Sequence, residues 1–189
     1  MKKKGGSVIV AVDPGINNLG WCVCTMQGRP IEWGLETSTL DDLKTPENIR
    51  AFKQNMRFML DRINSFAKER KKRIEFIMER YMPRGMRRGN QTERINIIIG
   101  YLLAKVKYAN VYLVPASSWK NRRERVYIHL DNKTIPEHIT DTYTMSLYLL
   151  ERIMGRVNEK QVRKLLKQVD KTDFGWKKVK GVWTSPTAL

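Results

Sequence analysis

The sequence predicts an α/β fold, a mixed five-stranded sheet with three antiparallel strands followed by parallel ones, flanked by helices. Three observations lead there. The chain opens with three short β-rich runs separated by Gly, Pro and Asn signals. Two stretches of helical periodicity then alternate with two further apolar strands. Strands that begin as a meander and go on alternating with helices build a mixed sheet with helices on its faces.

The elements follow in order. Ser7 to Asp13, Trp21 to Met26 and Trp33 to Thr39 read as the meander. Pro46 suits the first turn of a helix reaching Lys71, which sets Ile49, Phe52, Met56, Leu60, Ile63 and Ala67 on one face. Ile74 to Tyr81 alternates as a strand. A helix from Thr92 to Tyr108 turns Ile95, Ile98, Ile99, Leu102 and Val106 inward, and a strand follows at Asn110 to Pro115. A polar connection leads to Pro136, and a strongly apolar helix spans Ile139 to Ile153. Residues 1–154 thus read as one domain and 155–189 as a basic C-terminal extension, helical at first and then irregular.

The chain has 189 residues, enough for one domain of ordinary size. Lys and Arg number 36 against 19 Asp and Glu, a formal charge of +17, while 41% of residues are hydrophobic. That apolar content supports a core, so the charge belongs to a folded surface and favours polyanions, nucleic acid first among them. The longest apolar run, Ile97 to Ala104, is too short to span a bilayer. The basic start is followed by an apolar run cut at Asp13-Pro14-Gly15, unlike a secretory leader. The only cysteines, Cys22 and Cys24, fall on one face of one strand and provide neither a disulfide framework nor a zinc cage.

Acids at the ends of apolar strands are held where a cleft can form. Asp13 closes Val8 to Val12, and Glu79 closes Ile74 to Met78. His138 and Asp141 are three residues apart at the start of the last helix and share one face. Three such carboxylates together repel one another unless a cation fills the cluster, and Mg²⁺ is the hard cation that oxygen donors suit. Each residue also has an ordinary reading: Asp13 as a turn former, Glu79 as an arginine partner, Asp141 as a first-turn acid, His138 as an exposed helix-start residue.

The combination resembles the RuvC-like branch of the RNase H-like superfamily, the Holliday junction resolvases, and especially their phage and viral members. The resemblance covers Val8 to Ile153. It rests on Val10-Ala-Val-Asp-Pro-Gly-Ile-Asn-Asn-Leu-Gly-Trp21, on Ile77-Met-Glu-Arg-Tyr81, on His138-Ile-Thr-Asp141, and on Val114-Pro-Ala-Ser-Ser-Trp-Lys120. Many members carry Asp where this chain has His138, and the basic C-terminal segment has no counterpart. The resemblance implies that Asp13, Glu79 and Asp141 bind two Mg²⁺ ions, for which Mn²⁺ can substitute, in metal-assisted phosphodiester hydrolysis of four-way or other branched DNA. It assigns His138 to ordering or deprotonating the attacking water, with direct metal ligation as the other reading. It also implies a twofold homodimer, since symmetric resolution needs two active sites, and a cytoplasmic setting in a bacterium or an infected host cell.

Nucleic-acid contacts are expected from Arg80, Tyr81, Met82, Arg84, Arg87 and Arg88 beside the site, where Tyr81 or Met82 can wedge against an unstacked base. Lys120, Arg122, Arg123 and Arg125 form a second basic patch on the far side of the cleft, with solvation as the plain alternative. Phe58, Met59 and Phe66 lie outside the main stripe of their helix and are candidates for the dimer interface or for a wider core stripe. Two other functions stay open: a nuclease acting on another substrate such as an RNA hybrid, and a non-catalytic nucleic-acid-binding protein.

Overall fold

The computed structural model describes residues 6–15, 18–37, 45–69, 73–80, 89–107, 109–125, 134–180 and 182–184. Alternating side chains of the strands feed two cores, one on each face of a single sheet. The strands are β1 (Ser7–Pro14), β2 (Asn18–Thr25), β3 (Pro30–Thr37), β4 (Arg73–Arg80) and β5 (Ala109–Pro115), in the spatial order β3-β2-β1-β4-β5. β1 pairs antiparallel with β2 and parallel with β4, and β4 pairs parallel with β5. This is the predicted mixed sheet, with β2 and β3 shifted toward the N-terminus by one to three residues. The shift follows from the hairpin between them: the Gly28 N–H donates to the Thr25 carbonyl at 2.9 Å, and Gly28 takes the positive φ of 80° that the turn requires.

On one face, Val8, Val10 and Val12 of β1 and Ile74, Phe76 and Met78 of β4 meet α1 (Pro46–Glu69) and α2 (Gly89–Lys105). Thr45 caps α1, its hydroxyl accepting the Asn48 N–H at 3.3 Å. The buried stripe of α1 is wider than a single helical row. Phe52, Met56, Leu60 and Ile63 are inside as expected, and so is Met59, fully buried; this corrects its candidacy for an interface. Ile49, expected inward, is 37% exposed because it lies one turn before the buried stripe begins. The side chains of Phe58, Phe66 and Ala67 lie outside the described residues.

On the other face, Ile9 and Ala11 of β1, Cys22 and Cys24 of β2 and Ile77 of β4 meet α4 (Glu137–Tyr148). α4 is less apolar than its burial suggests. Thr140, Thr142, Thr144 and Ser146 are all buried, and their hydroxyls donate back to the carbonyls of Glu137, Ile139, Thr140 and Thr142 at 2.7 to 3.1 Å. A polar helix can therefore enter the core without orphaned hydroxyls. It runs on into a π-helical turn over Leu149–Ile153.

The two thiols lie 3.4 Å apart, both free, and contact with Cys24 followed by burial holds the Cys22 thiol well above its ordinary pKa. Such thiols stay protonated and inert.

Two segments depart from expectation. The polar connection after β5 begins with a helix, α3 (Ala116–Arg125), anchored by the fully buried Trp119. After Gly155 the chain is not an irregular tail. A capping box between Asn158 and Gln161 starts α5 (Glu159–Asp170), which buries Val162, Leu166 and Val169 in the α4-side core. Phe174 and Trp176 join the same core, Phe174 meeting Trp33 edge-on at 4.9 Å, and a short hairpin of β6 (Lys177–Val179) and β7 (Val182–Thr184) follows. No helix among the described residues is long and apolar enough to cross a membrane.

Gly20 decides how close α4 sits to the sheet. A Cβ there would lie 2.5 Å from the His138 carbonyl oxygen. Because that obstacle is backbone, Gly20→Ala must push the start of α4 outward. The expected loss is about 1–3 kcal/mol, typical of overpacking. Thermal unfolding followed by circular dichroism checks it, as a fall in Tm of several degrees.

Candidate active site

The register of β1 on β4 places Val12 beside Met78, so Asp13 and Glu79 come one step later at adjacent parallel strand ends. Both residues alternate onto the α4 face, as Ile9, Ala11 and Ile77 do. The close approach of α4 over Gly20, which pairs with Asp13 in the β1–β2 register, delivers His138 and Asp141 to the same end of the sheet. Asp13 and Asp141 are buried.

Two cations are threaded into this acidic end. His138 Nδ1 lies 2.8 Å from Asp13 Oδ2; an ionised carboxylate only accepts, so the ring nitrogen donates. Lys120, one residue after the buried Trp119, sets its ammonium 3.4 Å from Glu79 Oε2 and 3.5 Å from Asp141 Oδ2. Sequence reasoning put Lys120 across the cleft, whereas α3 brings it between two of the acids. The signal for this was Trp119, an aromatic at the start of a polar stretch, which serves as the anchor of a helix.

The electrostatics follow from burial and these pairings. Burial pushes the Glu79 carboxyl up, Lys120 opposes that, and the charges of Asp13 and Asp141 add to it, leaving Glu79 above the usual carboxylate range. Burial works against the Lys120 charge, but Glu79, Asp141 and Asp13 outweigh it and its pKa is raised. The hydrogen bond to Asp13 is the main reason that His138 is raised; burial opposes it, and the charges of Asp13, Asp141 and Glu137 reinforce it.

The donor set suits a hard cation. Glu79 Oε2 is buried and meets no aligned hydrogen-bond donor, Lys120 approaching it only at ion-pair distance. Among the described residues, no three His, Cys, Asp or Glu side chains already stand in a finished metal cage. The site as described is thus an acid cluster balanced by the protein's own cations.

Arg80 follows Glu79 and is exposed at the strand end. Tyr81, Met82, Arg84, Arg87 and Arg88 lie outside the described residues, as do the side chains of Arg122, Arg123 and Arg125 on α3. A further buried acid escaped the sequence reading. Glu75 sits four residues before Glu79 on the same face, and accepts from Asn110 Nδ2 at 3.1 and 3.2 Å and from the Tyr112 hydroxyl at 3.1 Å. Its hydrogen bonds are satisfied within the sheet, which makes it structural.

No family model matches the sequence, and no curated protein does. Solved structures do match. RuvC of Thermus thermophilus in complex with a Holliday junction substrate superposes with a TM-score of 0.55 at 16% identity, over 80% of this chain and 98% of that one. A second Thermus thermophilus RuvC structure gives 0.55 at 15% identity with the same coverage. At this identity the likeness establishes the RuvC/RNase H-like fold, in agreement with the fold expected from sequence.

Two outcomes follow from the pairing of acids with cations. A raised His138 pKa means that the folded state holds its proton more tightly than the unfolded chain does. Its contribution to stability is therefore fully present below the unfolded pKa of about 6.5 and is lost as pH rises through the folded value. Asp13→Asn should bring the His138 titration, followed by NMR of the ring carbons, back toward the ordinary value. Lys120→Gln removes the cation that opposes the rise at Glu79, so the Glu79 carboxyl carbon should titrate at still higher pH in that variant.

Proposed function

We propose that this chain is a divalent-metal-dependent endonuclease that cuts four-way junctions or other branched DNA by phosphodiester hydrolysis, acting as a homodimer. The observation that carries the reading is the delivery of Asp13, Glu79 and Asp141 to one end of a RuvC-type sheet, beside a histidine and a lysine, in a chain of charge +17. The neighbouring fold's own complex with a Holliday junction supports branched DNA as the substrate class.

Asp13, Glu79 and Asp141 would hold the metal, Mg²⁺ by the hardness of its oxygen donors, with Mn²⁺ able to replace it and two ions the number expected of such a cluster. Once bound, the metal supplies charge neutralisation at the scissile phosphate and acidifies water. The remaining roles belong to the protein. His138 is tied through Nδ1 to Asp13, leaving Nε2 to orient water or take its proton. Lys120 is 43% exposed at its side chain, and its flexible stem lets the ammonium leave Glu79 and Asp141 to meet a phosphate oxygen. Arg80 stands at the rim for the same purpose.

A second copy has a suitable seat at the sheet edge. β5 has a neighbour on one side only, and its Val111 and Leu113, both on one strand face, are 41% exposed. Such a placement for the dimer face replaces Met59, which the core absorbs.

Cleavage of labelled four-way junction, flap, duplex and RNA hybrid substrates side by side with Mg²⁺ tests the reading, and preference for a branched substrate is the expected result. Asp13→Asn and Glu79→Gln should each slow cleavage about a thousandfold or more, equivalent to several kcal/mol of lost metal stabilisation, while junction binding persists. Manganese titration followed by electron paramagnetic resonance should show weaker binding in both variants; unchanged metal affinity and wild-type turnover would reject the assignment. If His138 is the base, the rate must also rise with pH through its raised pKa, since only the neutral ring accepts a proton.

A further inference from the structure

The helical layer on the opposite face of the sheet carries a groove that this chemistry leaves unused. α1 contributes Arg50, Lys53, Arg57 and Lys68 to it; Lys105 and Lys107 come from the end of α2 and the residues after it. Leu60 and Tyr101 also line it. Asp61 is the single acid of the lining, and it faces Arg57 at 3.4 Å. The other five cations have no carboxylate partner among the described residues.

The layout is unlike a scatter of solubilising charge. Arg50, Lys53 and Arg57 recur at three- and four-residue spacing, which stacks like charges on one side of a helix and opposes its formation. A polyanion laid along them would relieve that repulsion. From Arg50 to Lys68 the helix covers about 27 Å, the length of about eight base pairs of duplex. One end is pinned, because Asn64 Oδ1 accepts the Lys107 N–H at 3.3 Å and joins α1 to the residues leading into β5. That end lies at the starting edge of the parallel strands, so the groove runs from there toward the edge where Asp13 and Glu79 sit.

We propose that this groove seats the sugar-phosphate backbone of a double-helical DNA arm that extends away from the catalytic end. The identity of the polyanion rests on the DNA reading above, while the groove's place and charge are independent of the catalytic residues. Double-stranded nucleic acid fits better than a single strand. The groove's lining offers evenly repeated cations over a straight helix length, with one half-buried aromatic, rather than the series of stacking platforms that single strands use.

The test compares the full-length protein with two charge-reversed forms. Lys53→Glu with Lys105→Glu alters the groove. Arg29→Glu with Arg156→Glu makes the same change in charge on exposed residues of the α4 and α5 side, where the neighbouring Gly28 packs toward Leu147 and Leu165. Binding to a four-way junction and to a 20-base-pair linear duplex is followed by fluorescence anisotropy across a salt series, with EDTA present so that no strand is cut. The groove form should lose about tenfold or more in affinity for both probes, and its log-log salt slope should fall by about two, one unit for each phosphate contact removed. The control form should show a clearly smaller loss.

Equal losses in the two forms would overturn the proposal, because net charge alone would then explain them; an unaltered groove form would overturn it as well. Lys53→Gln with Lys105→Gln replaces the reversal if circular dichroism shows that the groove form is unfolded. Should sedimentation show that the groove form instead loses self-association, the groove is a protein interface and the proposal falls. A wild-type protein that prefers neither probe, with the groove effect intact, would remove the junction reading and leave the groove standing.

Discussion

Mutual repulsion among carboxylates at one buried end of the sheet is the constraint on which the rest of the structure turns. Asp13 and Glu79 arrive there because β1 and β4 run parallel in a register that puts Val12 beside Met78, and Asp141 because α4 rests on a glycine. Buried acids of this kind shift toward protonation or acquire cations. Here both responses are visible: Glu79 is pushed up by burial, and His138 and Lys120 are drawn in against the acids, each holding its proton more tightly as a result. The neighbours that position these two cations, Gly20 beneath α4 and Trp119 at the root of α3, matter to the site without touching substrate.

Much of this was legible in the chain. Asp13 and Glu79 each end an apolar run, and an acid ending such a run has its position set by the strand that precedes it. His138 and Asp141 could be placed on one face by their spacing alone. The five strands and the helices on both faces also followed from periodicity, with boundaries moved by pairing and turn geometry rather than by composition. Lys120 could not be placed, because α3 is made by tertiary contact. Ser117, Ser118 and the cations that follow read locally as loop, and only the burial of Trp119 holds that turn to the sheet. For the same reason the segment after Gly155 looked peripheral. Its lysines and arginines dominate the composition, yet Val162, Leu166, Val169, Phe174 and Trp176 are what attach it to the core.

α4 shows how a site can be polar inside and still stable. Its buried hydroxyls satisfy themselves on their own helix, so the polar composition does not have to be matched by the opposing strands. The sheet can then present Ile9, Ala11, Cys22 and Ile77, small or aliphatic side chains that let the helix come close. A bulkier or less self-sufficient helix would stand farther off, and Asp141 with it.

The two faces of the sheet therefore carry different loads. On the α4 face, close packing and internally satisfied polar groups hold a charge cluster in one place, as chemistry at a phosphate demands. On the α1 and α2 face, the core is made by wholly apolar strand residues, and the outer surface is free to vary in charge without disturbing the catalytic end. Chains at 15–16% identity can share the fold under those conditions while differing almost everywhere on the surface. The selection of one nucleic-acid shape over another must accordingly be sought in the basic residues of the helical layer and the rim, since the acids define only that a phosphodiester can be attacked and not which one is presented.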